Sequence, residues 1–138
     1  MITKKVANKT YKYEDPNRIA NISGTPGWKV VQFAKNNGIN YIIDLHSGKS
    51  VNSAKGLVYA TPGWTEEKRW AHYINKAVGS KVGRGNRDPG MVNVYGNKLG
   101  INTLTLEVER DTGSTLKWAK VEFKMLKAAC RYLFPTLT

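Results

Sequence analysis

Residues 40–45 place the strongest constraint on the fold, because they form a short and nearly continuous apolar run. The run reads Asn-Tyr-Ile-Ile-Asp-Leu and is followed directly by His46-Ser-Gly. A run of this length and composition predicts a β-strand in a sheet that is covered on both faces. Since helices cover such sheets in layered α/β proteins, the run favours that fold class.

Helices and strands alternate along the rest of the chain. The predicted elements are helices at 28–35 and 65–78 and strands at 56–60, 91–95 and 100–109. Thr65 is the predicted cap of the second helix, and Glu66 and Glu67 in its first turn suit the positive end of the helix dipole. Together these elements predict a single domain over residues 1–138, a layered α/β fold with a mostly parallel or mixed sheet flanked by helices.

The C-terminal segment predicts a long amphipathic helix. Its apolar residues recur every three or four positions, namely Leu116, Ala119, Phe123, Leu126, Cys130 and Leu133. Cys130 is the only cysteine in the chain, so neither an intrachain disulfide nor a thiolate metal cluster can form. Its apolar surroundings predict a plain core role.

The balance of charge predicts anionic partners. Lys and Arg number 22 against 10 Asp and Glu, which gives a net charge of +12. The densest basic segment, residues 81–87 (KVGRGNR), predicts a mobile solvated loop. Nucleic acid is disfavoured as a partner because aromatic residues do not interleave with the basic ones as in a stacking platform.

No membrane segment is expected from this sequence. No stretch approaches the length of apolar chain that a membrane-spanning helix needs. The N-terminal residues are polar and lack the apolar core of a signal peptide. Localisation is otherwise undetermined by the sequence.

Three polar residues stand where chemistry is common in α/β folds. His46 follows a strand directly, at the sheet edge where ligand sites gather, so it is placed to bind a metal, orient a substrate or move a proton. An ordinary hydrogen-bonded histidine is the alternative. Glu107 and Glu109 share one face of the 100–109 strand, which suits either a general base or a solvent-facing strand edge.

Three segments, in this order, resemble motifs of zinc metallocarboxypeptidases of the carboxypeptidase A type. They are residues 15–20 (DPNRIA), 43–48 (IDLHSG) and 105–113 (TLEVERDTG). The resemblance implies a partial phosphorylase/hydrolase-like fold and a zinc-dependent hydrolase that releases C-terminal residues from peptides. It also implies that Asn17 and Arg18 bind the substrate carboxylate, that His46 is a zinc ligand and that Glu107 is the general base.

The chain departs from the family pattern in several places. It lacks the upstream His-x-x-Glu motif that supplies two zinc ligands, and its other histidine, His72, is expected at the surface or at a boundary. The chain is therefore either the C-terminal part of an enzyme whose missing N-terminal segment holds those ligands, or a degenerate domain. Tyr95 is the nearest candidate for the family's mobile substrate-covering tyrosine. Glu109 is an alternative base, because one extra residue precedes the RDTG sequence.

Two other functions are consistent with the same residues. Amidohydrolases that resemble aspartoacylase and succinylglutamate desuccinylase also use an Asn-Arg pair and a strand-ending histidine. A non-enzymatic basic module that binds nucleic acid or an anionic polymer is the second alternative, since the net charge is +12.

Overall fold

The computed structural model describes residues 2–6, 9–13, 16–49, 51–85, 87–110 and 112–136. Asp15 and Asp111, which belong to two of the quoted motifs, lie outside these residues. The elements are β1 (Ile2–Val6), β2 (Lys9–Tyr13), a 3-10 turn (Pro16–Arg18), α1 (Pro26–Asn36), β3 (Tyr41–Gly48), β4 (Leu57–Ala60), α2 (Thr65–Val78), β5 (Lys81–Arg84), α3 (Val92–Lys98), β6 (Asn102–Glu109) and α4 (Thr115–Leu133).

The main sheet is mixed and has the strand order β3-β6-β4-β5 within the described residues. β4 is parallel to β5 and antiparallel to β6. The amide of Asn102 donates to the Asn40 carbonyl, and the amide of Arg110 donates to that of Gly48, so β3 and β6 run in the same direction. β1 and β2 form a separate antiparallel hairpin. A mixed sheet with flanking helices confirms the predicted layered α/β fold class.

The chain divides into two compact units, and β3 and β6 each begin in the first and continue into the second. The first unit comprises residues 1–42 and 86–103, and the second comprises residues 43–85 and 104–138. In the first unit the core is formed by Val31 and Ala34 of α1 together with Ile101. Half-buried side chains of Ile42, Val92, Tyr95 and Leu99 pack against this core.

Residues 92–95 form the first turn of α3, and Met91 is its capping residue, so the predicted strand at 91–95 is wrong. The amide nitrogen of Val92 donates to the side-chain oxygen of Asn17, at 2.7 Å. This bond satisfies a donor that the first helical turn leaves unpaired. Because the acceptor lies 75 residues away in the sequence, the local pattern carries no sign of it.

The second unit is built on contacts between α2 and α4 and the strands beside them. Trp70 of α2 is fully buried, and its indole nitrogen donates to the carbonyl oxygen of Ala129 in α4 at 3.0 Å. Its ring is stacked with that of Tyr132, with centroids 6.4 Å apart. α2 spans the predicted residues, although Trp64 and not Thr65 occupies the capping position. Gly79 ends the helix in the left-handed conformation, with φ of 75°.

The basic segment after α2 is more ordered than its composition predicts. Residues Lys81–Arg84 form β5, which pairs in parallel with β4, so the prediction of a mobile loop is wrong for these four residues. Gly83 lies against the side chains of Leu57 and Tyr59, where a Cβ atom would come within 3.0 Å of both. Its missing side chain therefore lets a strand form in a segment rich in glycine and charge.

Of the helices in the described part of the chain, none combines the length and the apolar character that a bilayer crossing requires.

Candidate functional site

The predicted carboxylate-binding residues lie in the first unit and support its structure. Asn17 is buried, and its side-chain oxygen accepts the hydrogen bond from Val92 described above. Arg18 is half-exposed, and its Nε atom lies 3.7 Å from Oδ2 of Asp88. The hydroxyl of Tyr95 accepts a hydrogen bond from Gln32 at 2.8 Å. The described contacts of these residues are structural, and their roles in binding a substrate stay predictions.

His46 lies in the second unit, on the same face of β3 as Asp44. Its Nε2 atom is 2.8 Å from Oδ2 of Asp44. β3 is an edge strand, and the backbone amide of His46 donates to the carboxylate of Glu122 in α4. Burial raises the pKa of the Glu122 carboxyl, and the interaction with His46 acts in the opposite direction. Glu122 therefore covers a backbone group that the sheet edge leaves unpaired.

Glu107 and Glu109 project from the central strand β6 into a partly covered region. The hydroxyl of Tyr59 donates to the carboxylate of Glu107, and burial together with this carboxylate raises the pKa of Tyr59. Gly48 leaves room for Glu107, because a Cβ atom there would overlap the Glu107 carboxylate. Oε2 of Glu109 accepts a hydrogen bond from the amide of Val51 at 2.9 Å.

The face of β6 that carries Glu107 and Glu109 is partly covered, which is inconsistent with the solvent-facing strand edge considered in the sequence analysis. Thr103 and Thr105 are buried, on the same side of the strand as the two glutamates. This face of β6 is therefore not the solvent-facing strand edge considered above. Acid–base roles for Glu107 and Glu109 stay predictions.

The described residues do not form the zinc centre that the resemblance implies. Within residues 16–49, 51–85, 87–110 and 112–136, no group of three or more His, Cys, Asp or Glu side chains is arranged to hold a metal ion. A catalytic zinc needs three protein ligands in addition to its water. His46 is paired with Asp44 in this structure, and its role as a zinc ligand stays a prediction.

Replacing Glu122 by glutamine should change how the stability of the protein depends on pH. The raised pKa means that the neutral carboxyl stabilises the fold at low pH, and this contribution is lost as the pH rises through the folded-state pKa. One carboxylate oxygen, Oε1, is buried without a hydrogen-bond partner among the described residues. The Glu122→Gln variant should therefore gain stability relative to the wild type between about pH 4 and pH 7. Urea unfolding of both proteins at about pH 4 and about pH 7 measures this change. If the difference in unfolding free energy between the variant and the wild type is the same at both pH values, the prediction is wrong.

The predicted apolar stripe of α4 faces outward along its first half. Leu116 is 64% exposed and Phe123 is 59% exposed, and Ala119 between them is also exposed. Leu126, Cys130 and Leu133 are half-buried. The buried face of the helix is formed by Trp118, Met125, Ala128 and Ala129. The stripe is therefore not the core-facing side of α4, and a plain core role describes Cys130 only in part.

A row of cations lies beside the exposed apolar residues. Its members, here called the basic stripe, are Lys117, Lys120, Lys124, Lys127 and Arg131. Successive members are three or four residues apart, so they share one face of the helix, and all are exposed. We define the outer face of α4 as the basic stripe together with Leu116, Ala119 and Phe123.

An open cleft of about 400 Å³ lies against the N-terminal half of this outer face. The described residues that line it are Ser114, Leu116, Lys117, Lys120, Val121 and Lys124. The cleft thus combines an apolar wall with a cationic rim. The apolar stripe was predicted from the sequence but the basic stripe was not, although the basic residues have the same spacing of three and four. The spacing does not show which apolar face of the helix is buried.

Comparisons with known proteins identify a shared fold. No family model and no curated protein matches the sequence. Among solved structures, the chain is similar to the crystal structure of Pyrococcus furiosus PbaA, an archaeal homolog of proteasome-assembly chaperone, with a TM-score of 0.51 and 13% sequence identity. The likeness covers 92% of this chain and 64% of that chain, so this chain spans less than two thirds of PbaA.

The resemblance to zinc metallocarboxypeptidases is therefore wrong. The structure has the fold of a chaperone homolog, and its described residues hold no metal-binding group. Three predictions that depended on this resemblance are wrong as well. They are peptide hydrolysis, a peptide substrate with a free C-terminal carboxylate, and an N-terminal segment that supplies zinc ligands. The amidohydrolase and the nucleic-acid or polymer-binding alternatives are likewise not supported. At 13% identity, what the chain shares with PbaA is its fold.

Proposed function

We propose that this chain is a non-catalytic protein-binding module of the assembly-chaperone kind, which contacts a partner protein through the outer face of α4. The observation that carries the proposal is the exposure of Leu116 and Phe123, at 64% and 59%, on one face of a regular 19-residue helix. Large apolar side chains grouped on a surface and rimmed by charge are typical of protein interaction sites.

The fold supports this proposal in two ways. PbaA, which shares the fold, is a homolog of a chaperone that assembles another protein complex. α4 is also well suited to present a rigid surface, because its opposite face is fixed against α2 through Trp70 and Ala129. A helix held in this way loses little conformational entropy when a partner binds its free side.

The double variant Leu116→Ser with Phe123→Ser should abolish binding to the partner protein. The matched control is Val30→Ser with Phe33→Ser, since these α1 residues are 53% and 63% exposed and are also apolar. Both variants should keep the wild-type stability within about 0.5 kcal/mol, because surface substitutions cost little. The readout is the recovery of partner proteins from the native host with the tagged full chain, quantified by mass spectrometry.

The two variants give opposite expectations. The α4 variant should lose the proteins that the wild type recovers, and the α1 variant should retain them. If the α4 variant retains all of them while its circular dichroism matches that of the wild type, α4 is not the contact surface and the proposal fails.

A further inference from the structure

We infer that the outer face of α4 recognises an acidic amphipathic helix of the partner protein. This inference rests on the proposed function and specifies the chemistry of the partner. The occupant is a helix with apolar residues on one side and Glu or Asp residues beside them. The apolar side would cover Leu116 and Phe123, and the carboxylates would meet the basic stripe.

The charge of the stripe is not balanced within the described chain. No ion pair joins Lys117, Lys120, Lys124 or Lys127 to a carboxylate among the described residues. Like charges three or four residues apart on a helix repel one another and destabilise it by a few tenths of a kcal/mol per pair. A partner that brings carboxylates to this face would remove the repulsion, which makes an acidic surface the complementary one.

Two of the lysines are held close to aromatic rings. The Lys127 ammonium lies 5.7 Å from the centre of the Phe123 ring, and that of Lys117 lies 4.7 Å from the centre of the Trp118 ring. The Lys127 contact keeps that cation beside Phe123 of the outer face, whereas Trp118 belongs to the buried face of the helix. Charge and apolar surface are therefore presented together, as an amphipathic partner requires.

The shape of the face favours a helix over a lipid surface. Ala119 lies between Leu116 and Phe123, which are about 10 Å apart along the helix axis at 1.5 Å per residue. A small residue between two large ones leaves a recess, and ridges of side chains on another helix fit into recesses of this kind. Beside this recess, the cleft of about 400 Å³ lined by Leu116, Lys117 and Lys120 has room for side chains of a partner. Insertion into a bilayer requires no recess.

The test uses the full chain and three synthetic helical peptides in fluorescence anisotropy. The first peptide has a leucine stripe flanked by glutamates, the second replaces the glutamates by lysines, and the third replaces the leucines by serines. The acidic leucine peptide should bind at least about tenfold more tightly than the other two. Raising the salt concentration should weaken its binding.

Two charge-reversal variants test whether the lysines of α4 account for binding of the acidic leucine peptide. Changing Lys117, Lys120 and Lys124 to glutamate should weaken binding of the acidic leucine peptide by about tenfold or more. The control changes Lys29, Lys35 and Lys98 to glutamate. These are exposed lysines of α1 and α3, and the change in net charge is the same. The control should keep wild-type affinity, so equal loss in both variants would overturn the inference.

The same experiments would reveal other ligands of the outer face and would separate failure of the inference from failure of the proposed function. Binding to phosphatidylglycerol vesicles or to a random-sequence duplex, without binding to the acidic leucine peptide, would overturn the inference. If Leu116→Ser with Phe123→Ser abolishes recovery of the natural partner but the three-lysine α4 variant retains it, the inference fails while the proposed function stands. If neither variant affects recovery of the natural partner, both fail.

Discussion

Replacing Trp70 by alanine should lower the free energy of unfolding by about 3–5 kcal/mol, the usual cost of removing a large aromatic side chain from a core. Trp70 is fully buried between α2 and α4, donates a hydrogen bond to the Ala129 carbonyl and stacks against Tyr132. The substitution removes the hydrogen bond and leaves a cavity where the two helices meet. Urea unfolding followed by far-ultraviolet circular dichroism measures the change.

Trp64→Ala is the matched control for this experiment. Trp64 is 39% exposed at the start of the same helix, so its loss removes far fewer contacts. We expect a cost below about 1 kcal/mol. Equal costs for the two tryptophans would show that the contact between α2 and α4 does not stabilise the second unit as described.

Replacing Gly90 by alanine should destabilise the first unit by about 3 kcal/mol, the upper end of the range for overpacking. A Cβ atom at Gly90 would overlap the carbonyl oxygen of Arg18. The clash is with backbone, so no side-chain rotation can relieve it. The carbonyl oxygen of Gly90 also accepts a hydrogen bond from the amide of Ala20 at 2.8 Å, and a shift of the loop would weaken that bond.

Gly38→Ala provides the comparison for Gly90→Ala. Gly38 has φ of 66°, and beyond its chain neighbours no described atom lies within 4 Å of the place that a Cβ would take. Alanine there meets only the left-handed backbone conformation, which costs about 1–2 kcal/mol for a residue with a side chain. Thermal or urea unfolding should therefore show a larger loss for Gly90→Ala, and the reverse order would contradict the close approach of residues 18 and 90.

The elements that the sequence predicted well carry their signals locally. α2 matches the predicted range because Glu66 and Glu67 in its first turn and Gly79 after its last residue are adjacent to the helix they define. β3 and β6 are found where the apolar run and the alternating pattern place them. Local chemistry and periodicity were sufficient for these elements and for the α/β class.

The elements that were missed depend on distant partners. α3 begins where Asn17 accepts the Val92 amide, and β5 forms because β4 is available to pair with it. The orientation of α4 was missed because the helix has two apolar faces, and the face with Trp118 and Met125 is the buried one. The motif resemblance failed because short segments at strand ends do not specify a metal centre.

The central claim, that the outer face of α4 binds a partner protein, is tested most directly by photo-crosslinking in the native host. A photoreactive benzoylphenylalanine is placed at residue 123 in one variant and at residue 33 in the other, since Phe123 and Phe33 have similar exposure of 59% and 63%. We predict that residue 123 crosslinks to a defined partner protein on irradiation and that residue 33 does not. Equal crosslinking at both positions, or none at residue 123, would contradict the claim.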